Sequence, residues 1–148
     1  MHTEVLVFLV IIILIILIVA LVYATRAAEG LAGYSDPNIT IAHTYLAWTV
    51  SVLWLVIAGA IAGVIALFIF GPELIPAFGK SILYIALLAF FVGLIAAGVV
   101  ASIAAYHINN STIKSKVEGA YRDTIISAVT ALGSTALIII IAVVIWYY

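Results

Sequence analysis

Four long apolar stretches alternate with short polar segments along this 148-residue chain. A helix that crosses the hydrocarbon core of a bilayer needs about 20 mostly apolar residues, because the core is roughly 30 Å thick and each residue rises about 1.5 Å. The four stretches meet this requirement, and they cover residues 5–24, 43–70, 81–106 and 124–148. The runs are continuous and do not alternate with period two, which favours helices over barrel strands. The pattern predicts an all-α integral membrane protein whose four transmembrane helices form two hairpins in a single domain, residues 1–148.

Composition and charge support a membrane protein and exclude other classes. Apolar residues make up 68% of the chain and charged residues 7%, whereas a soluble domain has about 45–50% and about 25%. Five basic and six acidic side chains cannot cover the surface of a soluble protein of this size. The net charge of −1 argues against a nucleic-acid partner, which requires an excess of basic residues. The absence of cysteine excludes disulfides, thiol catalysis and thiolate metal sites.

Most of the charged side chains lie in two polar segments, residues 25–42 and 107–123. Four spans place both segments on one side of the membrane and both termini on the other. Because the two segments hold four of the five basic residues, the positive-inside rule predicts that they face the cytoplasm or its topological equivalent. We call their eight charged residues the charged platform: Arg26, Glu29, Asp36, Lys114, Lys116, Glu118, Arg122 and Asp123. Four are basic and four acidic, which favours a surface that faces a protein partner over a polybasic lipid-binding patch.

Two local signals predict where helices begin on this side. Asp36-Pro37 combines a capping carboxylate with a proline suited to the first helical turn, so the second helix is predicted to run from Pro37 to Phe70. Ser115 and Glu118 have the spacing of a capping box, which predicts that the fourth helix begins near Lys116. A glycine- and proline-containing turn over residues 71–76 is predicted to join the second and third spans on the opposite side.

The two polar segments also share a short pattern that is compatible with an internal duplication of the hairpin. Glu29-Gly30 is followed by Tyr34-Ser35-Asp36 before the second span, and Glu118-Gly119 is followed by Tyr121-Arg122-Asp123 before the fourth. A common need for a helix cap and an interfacial tyrosine would give the same pattern. Both interpretations stay open at this point.

Small residues predict where helices approach one another. In lipid, hydrophobicity gives no drive for helix association, and small side chains allow backbones to approach closely. The third span carries a small residue at every fourth position, and the second carries a GxxxG pair. We assign helix packing to these residues: Gly59, Gly63, Ala89, Gly93, Ala97, Ala101 and Ala105. The first span has no such face, so it is expected at the periphery of the bundle, whereas Trp54 is expected between helices.

Candidate chemistry is sparse. The apolar cores of the four spans contain no ionisable side chain, although such a residue is the usual pointer to function inside a membrane. His43 and His107, near the charged side, are candidates for a shared metal or proton site, and the simpler interpretation is that both are solvated interfacial histidines. The sequence shows no nucleophile–base arrangement and no phosphate-binding loop. We therefore expect no catalytic, metal or cofactor-binding residues, and we do not expect an enzyme.

One stretch of the chain resembles a known class of proteins. Asp36-Pro37-Asn38, the run from Ala42 to Thr49 (AHTYLAWT) and Trp54 are similar to a segment of small multi-span membrane proteins of large double-stranded DNA viruses. Those proteins reside in the lipid layer beneath an icosahedral capsid. The resemblance covers residues 36–54, and it implies a structural role in shaping a virion membrane or tethering it to capsid proteins. It brings no catalytic residues.

Three functions are compatible with the sequence. The first is a structural or assembly membrane protein whose partners are the lipid bilayer and other membrane or capsid proteins, or a second copy of the chain. The second is a channel or small transporter formed by oligomerisation, with hydroxyls facing a pore: Ser51, Ser102, Thr130 and Ser134. The third is an accessory subunit of a cellular membrane complex.

Overall fold

A computed structural model of the chain describes residues 2–70 and 80–147. Four long helices make up nearly all of these residues: α1 (His2–Leu31), α2 (Pro37–Phe70), α3 (Lys80–Asn109) and α4 (Glu118–Trp146). A single 3-10 turn, Lys114–Lys116, lies between α3 and α4. Each long helix contains a segment of 27 to 34 residues that is long and apolar enough to cross a membrane. The predicted all-α, four-span fold is therefore confirmed, while the turn predicted over residues 71–76 lies outside the described residues.

The four helices form a bundle in which each helix packs mainly against two others. The contacting pairs are α1–α2, α2–α3, α3–α4 and α4–α1, so the two hairpins lie side by side and the first and last helices close the ring. The expectation that the first span is peripheral is wrong. Leu17, Ala20 and Ala24 of α1 are at most 1% exposed. Small side chains lie on both sides of this interface. Ser127 of α4 donates to the Ala20 carbonyl oxygen. Ala20, Ala24 and Ala27 form a buried small-residue face on α1 that was not recognised in the sequence.

The interior divides along the bundle axis into two apolar clusters. One lies at the end where the loops 32–36 and 110–117 are found, and we call it the loop-end cluster: Ala27, Leu31, Ile39, Ala42, Leu46, Ala104, Ile108, Val117 and Ala120. Its large side chains Ile39, Leu46 and Ile108 are completely buried. The other cluster extends from the middle of the bundle toward the start of α1 and the end of α4. The interior of the loop end is therefore closely packed beneath its surface residues.

The stripe on α3 is buried over most of its length. Ala97 and Ala101 are completely buried, and Ala105 is 4% exposed. Gly93 lies against α2, where an added Cβ would come within 3.3 Å of Val56. Ala89 does not take part in packing within the chain, because its side chain is exposed.

The two glycines of the GxxxG pair on α2 have different surroundings. Gly59 faces α3, and a Cβ added there would lie 2.5 Å from the Phe90 ring. Gly63 has no atom within 4 Å of an added Cβ, so it makes no close contact with another helix of the same chain. Trp54 was expected between helices but is 58% exposed, because the buried face of α2 at this level is formed by Leu53 and Ile57. Apolar composition alone did not distinguish the face toward protein from the face toward lipid.

The two helix starts at the loop end differ in their chemistry. At α2, the Asp36 Oδ1 accepts hydrogen bonds from the backbone N–H groups of Asn38 at 3.0 Å and Ile39 at 3.3 Å, which confirms the predicted cap. At α4, the residue before the helix is Val117, and no side chain caps it. The capping box predicted from Ser115 is therefore wrong, because the chain first forms the 3-10 turn and the helix begins only at Glu118.

The aspartates matched in the duplication pattern occupy different positions. Asp36 lies just before α2 and caps it, whereas Asp123 lies inside α4, in its second turn. Asp36 is partly exposed and Asp123 is buried. The two aspartates therefore do not occupy equivalent positions in the two hairpins. The internal duplication stays a prediction from the sequence pattern alone.

Candidate functional site

The fold brings the charged platform together at one end of the bundle. The platform residues lie at the end of α1, in the two loops and at the start of α4. The loops touch, because the Asn38 side-chain amide donates to the Asn110 carbonyl oxygen at 3.4 Å and the Thr112 hydroxyl donates to the Asp36 Oδ2 at 3.4 Å. We call this the charged end of the bundle.

Asp123 is the buried member of the platform. Its side chain is 8% exposed, and its Oδ2 lies 3.8 Å from Nε of Arg26, whose side chain is 58% exposed. Its Oδ1 is buried and has no hydrogen-bond partner among the described residues. The assignment of Asp123 to a partner-facing surface is therefore corrected: its carboxylate points to Arg26 on α1 and belongs to the α1–α4 interface.

Two other platform residues are engaged within the protein. Asp36 caps α2, and the Lys114 ammonium donates to the Asn109 side-chain oxygen at 2.6 Å. The same ammonium lies 4.7 Å from the centre of the Tyr121 ring, in cation–π geometry. Both contacts are local, and they hold the loop between α3 and α4 against the start of α4.

The surface left for a partner is smaller than the sequence indicated. Five platform residues are exposed at the charged end: Arg26, Glu29, Lys116, Glu118 and Arg122. Three are basic and two acidic, because Asp36 is partly buried and Asp123 is buried, whereas Arg26 remains exposed although it pairs with Asp123. The exposed platform is therefore mixed in sign with a small excess of positive charge.

The two candidate histidines have different surroundings. His107 on α3 has its Nδ1 3.4 Å from the Asn38 Oδ1, and its ring stacks on Tyr45 of α2 with the ring centres 6.0 Å apart. His43 instead lines a shallow groove between α1 and α2, to which Glu29 also contributes. Within the described residues, no group of three or more His, Asp or Glu side chains is placed to hold a metal ion. His107 and Tyr45 therefore form a packing contact between α2 and α3.

Two interhelical contacts went unrecognised in the sequence. A Cβ at Gly98 would collide with Leu132, so the backbone of α3 approaches α4 closely there. Gly98 and Ser102 form a small-xxx-small pair next to the predicted stripe, which is the signal that marked this second face. The Tyr84 hydroxyl donates to the Ala142 carbonyl oxygen of α4 at 3.2 Å, near the opposite end of the bundle. An interfacial tyrosine gives no sequence signal for such a bond.

The exposed platform offers ion pairing and hydrogen bonding by groups of both signs. No protein-family model, curated protein or solved structure matches this chain.

Proposed function

We propose that the chain is a structural or assembly membrane protein that docks a protein partner through the exposed platform at its charged end. The observation that carries the proposal is the one-sided charge: eight of the eleven charged residues lie at that end, while the apolar cores of the spans contain no ionisable side chain. The similarity over residues 36–54 supports an internal viral membrane beneath a capsid as the location. The partner is then a capsid protein, another protein of that membrane or a second copy of the chain.

The shape of the bundle supports docking at this end. Helix α2 has 34 residues, which corresponds to about 50 Å and exceeds the roughly 30 Å hydrocarbon core. The excess length allows the charged end to stand clear of the hydrocarbon region. The loop-end cluster beneath it is buried, so the backbone that carries the exposed charges is already ordered before binding and loses little conformational entropy.

The distribution of basic residues supports an orientation. Four of the five Lys and Arg residues belong to the charged end. By the positive-inside rule, that end faces the cytoplasm or its topological equivalent, and the start of α1 and the end of α4 face away. A partner of the exposed platform is accordingly sought on the cytoplasmic-equivalent side.

The channel alternative has less support from the hydroxyl side chains. Ser51, Ser102, Thr130 and Ser134 each donate a hydrogen bond to a carbonyl oxygen of their own helix. A hydroxyl engaged in this way has no O–H left to donate to a passing solute, and only its oxygen lone pairs stay free to accept. Flux of ions or small solutes through liposomes that contain only this chain would support a channel and count against the docking role.

The test uses charge reversal at the exposed platform. The double variant Lys116→Glu, Arg122→Glu changes two exposed cations, and Glu4→Lys is the control because Glu4 is exposed at the opposite end of α1. The chain is expressed during assembly of membrane-containing virions, and its copy number in purified particles is measured. We expect a fall of about tenfold or more for the double variant, since the reversal places like charges opposite each other across the interface, which costs several kcal/mol. Glu4→Lys should be incorporated normally.

Three results would contradict the proposal. One is unchanged incorporation of the double variant. Another is equal loss in the Glu4→Lys control, which would show a general effect of charge. The third is recovery of the wild-type chain in a complex of cellular membrane proteins and not in the particles, which would support the accessory-subunit alternative.

A further inference from the structure

The half of the bundle away from the charged end contains a partly open apolar cavity of about 280 Å³. All four helices line it, for example Leu17 of α1, Val56 of α2, Leu87 of α3 and Ile138 of α4. Its fifteen lining residues are all Gly, Ala, Val, Leu, Ile or Phe. A buried water needs two to four polar partners. This cavity supplies none from its side chains, so it is a poor site for water.

The cavity is formed because small residues occupy positions on its wall where larger side chains would fill the space between the helices. Gly59, Ala60 and Gly63 form its wall on α2, and Ala86 stands opposite on α3. An added Cβ at Gly63 meets nothing within 4 Å, which shows that this glycine borders open space.

The position of the cavity limits what can enter it. Its lining residues belong to the apolar segments that cross the membrane, so hydrocarbon chains surround the bundle at that depth. An apolar cavity of about 150 Å³ in a soluble protein stays dry and binds benzene or xenon. The present cavity is nearly twice as large, and it offers no charge or hydrogen-bond donor to a headgroup.

We propose that this cavity binds a hydrocarbon chain of a membrane lipid, with the headgroup outside the bundle. The chain is held by contacts with side chains of all four helices. The proposal is independent of docking at the charged end. It assigns a role to Gly63, which the helix contacts leave unexplained: the absence of a side chain keeps the lipid site open.

The first experiment detects the lipid chain directly. The protein is deuterated except for Ile and Leu methyl groups and placed in phosphatidylcholine nanodiscs, and nuclear Overhauser effects between lipid methylene protons and protein methyls are recorded. Ile13, Leu17 and Ile138 line the cavity and are 3%, 1% and 6% exposed, so bulk lipid does not reach them. We expect lipid contacts at their methyls. Leu46 and Ile108 in the loop-end cluster are completely buried and should show none.

A matched pair of variants tests whether the signal comes from the cavity. Ala60→Leu places a large side chain in the cavity, whereas Ala62→Leu makes the same substitution on an exposed position of the same helix. We expect Ala60→Leu to abolish the lipid contacts at Ile13 and Ile138 and Ala62→Leu to leave them unchanged. Gly63→Leu is the second filling variant, at a position where the structure shows open space.

The proposal is overturned by any of three results in a folded protein. These are the absence of lipid contacts at the cavity methyls of the wild type, contacts with water protons in their place, and lipid contacts that persist in both filling variants. The outward-facing methyl of Ile139, which is 55% exposed, must show lipid contacts in every sample and verifies that the measurement works.

Discussion

The Ser127 hydroxyl of α4 donates a hydrogen bond to the backbone carbonyl oxygen of Ala20 in α1, at 2.8 Å. Both residues are completely buried. Several other hydroxyls, including those of Thr44, Ser51 and Thr124, bond instead to a carbonyl oxygen four residues earlier in their own helix. The Ser127 bond therefore joins the first and last helices of the chain and helps to close the ring of four.

Ser127→Ala should lower the free energy of unfolding by about 1 kcal/mol, the usual size of one hydrogen bond between helices in a membrane. The loss stays small because the Ala20 carbonyl oxygen keeps its bond within α1. Unfolding by SDS in mixed micelles, followed by circular dichroism, measures the change. Ser51→Ala is the control, since that hydroxyl is exposed and bonds only within α2. Equal losses in the two variants would show that the interhelical bond contributes nothing.

Arg26→Gln should destabilise the bundle because it removes the cation beside a buried carboxylate. Loss of one partner from a fully buried pair costs about 3–5 kcal/mol. Since the Arg26 side chain is 58% exposed and the separation is 3.8 Å, solvent screening reduces the expected loss to about 1–2 kcal/mol. The same SDS titration measures it. Arg122→Gln removes an exposed charge from the platform and should change stability by less than about 0.5 kcal/mol.

A double variant separates the ion pair from the loss of packing by the arginine stem. The double variant carries both Arg26→Gln and Asp123→Asn. Its buried side chain at position 123 is neutral, so the loss of the Arg26 cation leaves no uncompensated charge. We expect the double variant to be more stable than Arg26→Gln alone. If the two single losses simply add, Arg26 and Asp123 do not interact and the loss at Arg26 arises from packing.

Asp36→Ala should cost about 1 kcal/mol of stability, because it removes the carboxylate that accepts from two backbone N–H groups at the start of α2. Asp36→Asn should restore most of the loss, since asparagine caps helices nearly as well. Ser115→Ala is the comparison. The sequence pattern predicts Ser115 as the cap of α4, but no side chain caps that helix in the structure, so this variant should change stability little. A loss at Ser115 as large as that at Asp36 would contradict the assignment.

The spans and the start of α2 could be predicted because they depend on local sequence. A run of apolar residues determines whether a segment can cross the membrane, whatever it packs against. Asp36 and Pro37 act on the backbone groups of the residues that directly follow them. Such signals need no knowledge of the tertiary structure, and the predicted bounds of α2, Pro37 and Phe70, are those found.

The packing faces could not be predicted in the same way. Lipid tails are as apolar as a protein core, so hydropathy does not distinguish the lipid-facing side of a helix from the buried side. This explains the errors at α1 and at Trp54. The burial of Asp123 depends on Arg26, which lies on a different helix. The cavity likewise depends on which small residues face one another across α2 and α3, which no single helix reveals.

The split of the GxxxG pair gives the last prediction. Gly59→Ala should lower the free energy of unfolding by about 1–2 kcal/mol, because the added methyl group would lie 2.5 Å from the Phe90 ring and the ring must move. Gly63→Ala meets no atom within 4 Å, and it should be neutral or stabilising by up to about 1 kcal/mol, since alanine loses less backbone entropy in a helix than glycine. SDS titration of both variants measures the difference, and each serves as the control for the other. Equal destabilisation would show that both glycines pack against a helix and that Gly63 does not border open space.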